Sequence, residues 1–382
     1  MAQTAKKPAT DSGGAKDRPW ELRLWSGIGV TGWFRELFRN RFHFGLTRIC
    51  MGLIITVLSF LNSFLWLVQE IFLGRKIKRA EIKEQPVFVL GHWRSGTTLL
   101  HELLVCDPRH TYPDTFSCFA PNHFILSRWL FSWWLWMLLP RSRPMDNMNV
   151  GLDSPQEDEW AMCNMGVPSP YLTLMFPNHP PAYPEYLDLR GLPRPAVERW
   201  KASLLWFLKC LTLRTPGRVV LKTPQHTCRV KTLLELFPDA RFVHIVRDPY
   251  TIFPSTIKLW KRMYRYHGLQ KPRYEGLEEH VFDTLNRMYD VFEEDRKLVD
   301  PSRFYEVRYE DLVADPAGKI KELYERLDLG DYENARPGVE RYVERTKNYK
   351  VNRHELPAEM RDQITRRWGK YIERYGYERS AE

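Results

Sequence analysis

Residues 86–104 read Pro86-Val87-Phe88-Val89-Leu90, then Gly91-His92-Trp93-Arg94-Ser95-Gly96-Thr97-Thr98, then Leu99-Leu100-His101-Glu102-Leu103-Leu104. The first segment is a short, unbroken apolar run, the pattern of a strand buried on both faces of a parallel sheet. The last segment predicts a helix. Between them, a glycine-bounded loop aims successive backbone N–H groups and a helix N-terminus at one point, which suits a phosphate-like anion. The spacing is close to the nucleotide loop G-x4-G-K-[ST], but Thr97 stands where the lysine would be. Without that cation to reach the outer phosphates, a triphosphate fits poorly, and a 5'-phosphate bearing one further group fits better. Arg94 enters from inside the loop instead.

Two more apolar runs lead into polar segments. Arg241-Phe242-Val243-His244-Ile245-Val246 ends in Arg247-Asp248-Pro249, with Ser255 eight residues after Arg247. Val219-Val220-Leu221 delivers Lys222-Thr223-Pro224-Gln225-His226. Strands alternating with helical stretches predict an α/β fold, a central parallel sheet of the P-loop nucleotide-kinase-like type flanked by helices. Ligands of such sheets gather at the strands' C-terminal edges, where Arg247 and Ser255 can converge on an anion. The competing reading of Arg247 is a strand-end ion pair with Asp248. A dense acidic cluster, Gln156-Glu157-Asp158-Glu159-Trp160, supplies either a reactive carboxylate (Glu157 or Glu159) or merely the acidic first turn of a helix.

Composition limits the partners. A formal net charge of +10 over 382 residues favours anionic ligands. Lys and Arg are dispersed, with neither a long basic block nor an aromatic-interleaved motif, which argues against nucleic acid. Six cysteines, Cys50, Cys106, Cys118, Cys163, Cys210 and Cys228, form no C-x-x-C pair, so neither a zinc site nor a disulfide framework is expected. No N-x-[ST] sequon occurs.

The N-terminal third has a different character. Met1 to Pro19 lacks any apolar run and is expected to be a flexible tail. Residues 20–84 read as an apolar and basic helical extension of a main domain spanning 85–382. Within it, Ile49–Val68 is an uncharged stretch long enough to cross a bilayer core. Asn62 interrupts it, and basic residues flank both ends, so charge bias assigns no orientation. A second apolar stretch, Phe124–Leu139, carries Trp129, Trp133, Trp134 and Trp136. Both are expected either to associate with a membrane or to pack as core helices.

Taken together, GHWRSGTTLL and the R-x7-S of Arg247 and Ser255 resemble two motifs of the sulfotransferases that use 3'-phosphoadenosine-5'-phosphosulfate (PAPS), particularly the bacterial and membrane-linked members. Arg308-Tyr309-Glu310-Asp311-Leu312, followed by Asp315-Pro316, resembles the family's late strand and helix. The resemblance implies PAPS as donor, PAP as product, no metal requirement, and transfer of the sulfuryl group to a hydroxyl or amine. It further implies that Arg94, Ser95, Gly96, Thr97 and Thr98 hold the 5'-phosphosulfate, and Arg247 and Ser255 the 3'-phosphate.

For catalysis, Lys222-Thr223 matches the cytosolic members' K-T-H segment, with the histidine two positions late, which makes His226 the first candidate for general base. A helix-capping role is its alternative. Glycan-modifying members carry a catalytic glutamate just before the lysine, where this chain has Leu221. Glu157 or Glu159 is then the alternative base, with Lys222 and Arg94 stabilising charge. The acceptor is expected to be a small molecule, glycan or lipid, and the catalytic domain to be cytoplasmic, membrane-associated or soluble. No Gly-rich basic closing segment is found; Lys347–His354 is the nearest substitute. The rival readings are a P-loop kinase or NTPase, contradicted by Thr97, and a non-catalytic membrane-associated scaffold.

Overall fold

The computed structural model describes residues 23–138, 151–347 and 356–378. Residues 1–19 and 348–354 of the two segments discussed above lie outside the described residues, as does Leu139.

Five parallel strands form one sheet: β1 (Val87–Leu90), β2 (His110–Thr111), β3 (Arg218–Lys222), β4 (Arg241–Val246) and β5 (Phe304–Arg308). Their order is β2-β3-β1-β4-β5. This is the α/β architecture expected, with its parallel sheet inside helical layers. Val87 pairs with Val220 of β3 on one side and Arg241 of β4 on the other. All four residues of β1 are buried. Alternation along the strand divides them between two cores, Phe88 and Leu90 packing on one face and Val87 and Val89 on the other.

The order puts β1 at the point where the chain turns from one half of the sheet to the other, the place where such sheets bind ligands. The donor loop leaves the C-terminal end of β1, Lys222 ends β3, and Arg247 follows β4. Neighbouring strands therefore deliver all three segments to one edge.

The N-terminal extension is not an appendage. Trp25, Ile28 and Trp33 are buried in the same core as Phe88 and Trp160. The Trp25 indole N–H donates to the His267 carbonyl at 3.0 Å, and its ring meets Trp160 edge-on. Burying three large side chains this way, at about 1.5–3 kcal/mol each, ties the segment into the main domain. The long apolar stretch is a single helix, Ile49–Arg79, and the second one a helix, Phe124–Leu138.

Candidate active site

The donor loop is held open by its backbone. Gly91 (φ +147°) and Gly96 (φ +103°) take conformations that L side chains rarely adopt, and a Cβ at Gly96 would come within 2.3 Å of the Tyr309 ring. Arg94 itself has φ +69°, a strained value for a non-glycine residue. Its surroundings hold it there: its Nε donates to Ser255 Oγ at 2.7 Å, and its carbonyl accepts from Arg247 Nη1 at 3.0 Å. The Gly91 N–H donates to Thr227 Oγ1 at 2.8 Å. Thr97 and Thr98 open the helix Thr97–Leu104, so their N–H groups are among those left without a helical partner.

Arg247 lies over the Tyr309 ring at 3.9 Å. Burial pulls its guanidinium below the ordinary arginine value, with Tyr309 opposing and the nearby Arg94 charge adding to the drop. Asp248 is occupied elsewhere: it caps the helix Pro249–His267 by accepting from the Tyr250 N–H and the Thr251 hydroxyl. A buried cation, Arg247, and a half-buried one, Arg94, thus lie near enough to repel each other, an arrangement that a bound anion would relieve.

Three successive carboxylates pair with the segment after β3. Glu157 Oε1 meets Lys222 Nζ at 2.7 Å, Asp158 Oδ2 meets His226 Nε2 at 2.7 Å, and Glu159 takes Arg229 in a two-pronged pair, 2.6 Å at its shorter contact. Their environments differ. His226 and Asp158 are sealed from solvent, as are Glu159 and Arg229. Burial alone would raise the Asp158 carboxyl, but the His226 charge and hydrogen bond, with Thr223, hold it below its usual range. Glu157 keeps 15% side-chain exposure and lines a cavity. Its Oε2 accepts from the Tyr171 hydroxyl at 2.6 Å, which in turn accepts from the Trp93 indole N–H at 2.6 Å. Tyr171 stacks on Trp160 with centroids 4.2 Å apart.

The cavity has a volume of about 980 Å³. Arg94, Thr97, Thr98, Lys222 and Arg247 line it beside Glu157. Its lining also includes Tyr309, Arg345 and Lys347, and the apolar side chains of Leu174, Leu259, Trp260 and Met263. The cavity therefore offers cationic groups suited to a polyanion and apolar walls suited to an apolar chain.

A family model described as the sulfotransferase family matches residues 86–333, the span that carries all three segments. The chain belongs to the sulfotransferase family. Curated relatives from Mycobacterium bovis (strain ATCC BAA-935 / AF2122/97) and Mycobacterium tuberculosis (strain CDC 1551 / Oshkosh), both named omega-hydroxy-beta-dihydromenaquinone-9 sulfotransferase Stf3, are each 47% identical over 362 residues. Each match covers 95% of this chain and 93% of the relative. Among solved structures, sulfotransferase STF9 from Mycobacterium avium superposes with a TM-score of 0.66 at 17% identity, over 93% of this chain and 98% of its own. STF1 from M. tuberculosis H37Rv superposes at 0.62 and 20% identity, over 89% and 91%. These two share the fold. The chain is an enzyme, and the kinase and scaffold readings fall away.

Against this sulfotransferase site, three expectations need correcting. His226 does not reach the cavity: it is 0% exposed, and its Nε2 is engaged by Asp158. A general base must touch the proton it removes, so this histidine has a structural place, and it caps no helix. Glu159 is likewise buried, accepting from Ser169 Oγ at 2.5 Å besides pairing with Arg229. Ser95 is 0% exposed, and both its N–H and its hydroxyl are turned onto the His92 carbonyl, shaping the loop from within. The remaining residues do assemble: Arg94, Thr97, Thr98, Lys222, Arg247 and Glu157 share the cavity, Gly96 turns the loop beside them, and Ser255 reaches it through Arg94. Sequence reasoning passed over Tyr171. Nothing local marks it, since its partner Glu157 lies 14 residues away, with the helix Asp158–Asn164, a loop and the start of a 3-10 turn between them. Tyr309 did carry a signal, in the Arg308–Leu312 motif.

Proposed function

We propose that this sulfotransferase takes its sulfuryl group from PAPS and passes it to a hydroxyl of a lipid-linked acceptor, at the cytoplasmic face of a membrane. Arg94, Gly96, Thr97 and Thr98 hold the 5'-phosphosulfate, and Arg247 with Ser255 the 3'-phosphate. No metal takes part. The observation that carries this reading is the Glu157–Lys222 pair, which lines one cavity together with the anion-binding loop and the apolar side chains.

In the reaction, Glu157 accepts the proton of the acceptor hydroxyl while that oxygen forms a bond to sulfur. The bond from sulfur to the bridging phosphate oxygen breaks, and PAP leaves with the negative charge. The Lys222 ammonium has three donors; one holds Glu157, and the others are free to stabilise the leaving oxygen with Arg94. Such transfers have loose transition states, so most of the enzyme's work is alignment and charge neutralisation rather than strong-base chemistry. Tyr171 fixes the carboxylate so that its oxygen faces the acceptor. A hydroxylated lipid quinone of the kind named for the 47%-identical relatives supports the assignment of the cavity's apolar walls to the acceptor.

Calorimetric titration with PAP, ADP and ATP, together with labelled-sulfate transfer into ω-hydroxylated lipid quinones and into soluble phenols, tests this. PAP should bind and ATP should not, and label should enter the lipid. Folded protein that fails to bind PAP would rule the donor assignment out; PAP binding with label entering only soluble phenols would overturn the acceptor.

A further inference from the structure

The Ile49–Arg79 helix is inside out. Ser59, Asn62 and Gln69 lie on its buried side, 0 to 7% exposed, whereas Leu53, Val57, Phe60, Phe64, Ile71 and Phe72 are 57 to 72% exposed. From Leu53 to Ile71 the outward residues recur at spacings of three, four and seven, with Phe72 next to Ile71, which makes one stripe along the helix. At one end the apolar surface continues through ring contacts from Phe60 to Phe34, Phe38 and Phe42. Trp129, 76% exposed, belongs to the helix Phe124–Leu138, whose Leu126 N–H donates to Gln69 of the stripe's helix. Exposed apolar surface that is contiguous in this way marks an interaction site.

We propose that this stripe docks the enzyme onto an anionic lipid bilayer, with the helix lying in the plane of the interface and not crossing it. The proposal rests on the membrane-associated reading above and deepens it. By length and composition the helix would pass for a span, since it contains an 18-residue stretch with a mean hydropathy of 2.0. Its polar seam forbids that. Arg48 donates to the Arg265 carbonyl, the Asn62 amide to the Ser26 carbonyl, the Gln69 amide to the Asn122 carbonyl, and Lys209 to the Lys78 carbonyl, each at 2.9 Å. The helix is therefore fastened to the domain along its whole length. A perpendicular orientation would carry that polar body into hydrocarbon, where unsatisfied groups are costly; a parallel one immerses the apolar face alone.

Charge selects the occupant. Arg39 and Arg41 before the helix and Arg75, Lys76, Lys78 and Arg79 at its end are all exposed, and Glu70 is the one carboxylate between residues 39 and 79. A second copy packed on the same face, parallel or antiparallel, would bring basic end against basic end. Anionic headgroups would neutralise both ends at once.

The test uses the full chain and vesicles of equal parts phosphatidylglycerol and phosphatidylcholine. Flotation should show binding, weakened about tenfold or more by Phe60→Glu with Phe64→Glu, while PAP affinity, which reports folding, is unchanged. A depth-sensitive fluorophore at Leu53→Cys, Phe64→Cys or Phe72→Cys, in a Cys50→Ser background, should report the same shallow depth at all three. A central position much deeper than the ends would mean a span, overturning in-plane docking while leaving membrane association intact. Absence of vesicle binding would overturn both, and a sedimenting dimer would then name a second copy as the occupant. PAP binding in every case keeps the sulfotransferase chemistry separate from the result. Binding unaffected by the double variant would place the contact elsewhere and sink the proposal.

Discussion

Glu157 Oε1 stands 2.7 Å from Lys222 Nζ, and the two come from segments 65 residues apart, one entering a helix and the other ending β3. They are the cavity-facing pair of three hydrogen-bonded side-chain pairs that stitch those segments together, the other two being buried. The carboxylate proposed as base thus stands at the open end of a row whose other members are sealed from solvent.

Glu157→Gln removes the proton acceptor but keeps the shape. Turnover should fall roughly 100- to 10,000-fold, with PAP affinity within about threefold of the parent, measured by single-turnover sulfate transfer and calorimetry. Tyr171→Phe should cost less, since it frees the carboxylate without deleting it. Unaltered turnover in Glu157→Gln would remove Glu157 from the mechanism.

Lys222→Met leaves Glu157 beside an apolar side chain and strips charge from the leaving oxygen. The expected outcome is a drop in turnover for PAPS that is smaller for donors with a better leaving group, because less negative charge then needs stabilising. Equal losses across donors would limit Lys222 to orienting Glu157.

Arg247→Ala should weaken PAP by roughly 10- to 100-fold, the worth of a charge-assisted hydrogen bond, and weaken adenosine 5'-phosphate little. Arg247→Lys should recover only part of the loss, since an ammonium cannot donate to the Arg94 carbonyl and a phosphate in the same planar fork. Calorimetry with both nucleotides reads the difference.

His226→Ala should act on stability, not chemistry. It removes one of the two side-chain partners of the buried Asp158 carboxylate, leaving Thr223, and an unmet buried hydrogen-bonding group costs about 1–3 kcal/mol. Urea unfolding should show that loss, while turnover per folded molecule stays within about threefold. A steep fall in turnover with normal stability would restore His226 as base.

His92 adds a pH dependence. Burial drives its pKa down to about 4, against a partial rise from its hydrogen bond to the Trp93 carbonyl and a small further drop from His280. In the unfolded chain it titrates near 6.5, so between those values the unfolded state binds more protons. Its stability contribution is full above pH 6.5 and falls by about 3 kcal/mol as the pH drops to 4. Urea midpoints at pH 7 and 5 should differ more in the parent than in His92→Asn, whose amide keeps the donor without the titration.

The chain's local chemistry determined a great deal unaided. A parallel sheet, a phosphate loop without its lysine, and arginine and lysine at strand ends follow from runs of apolar residues and fixed short spacings, whose physical meaning is local. Arg94, Lys222 and Arg247 were legible for that reason. Which member of the Glu157–Glu159 cluster faces the cavity was not, because consecutive helical residues point about 100° apart and only the packing of the segment against β3 selects one. The same holds for His226, which its place after Lys222-Thr223 makes a candidate in sequence and which its burial beside Asp158 makes a strut. The apolar stretch from Ile49 is long enough to span a bilayer; only the hydrogen bonds from Arg48, Asn62 and Gln69 and from Lys209, made to distant backbone carbonyls, laid it along the domain. Sequence carries composition and short-range period, while facing and fastening are long-range choices that the folded chain makes by satisfying its buried polar groups.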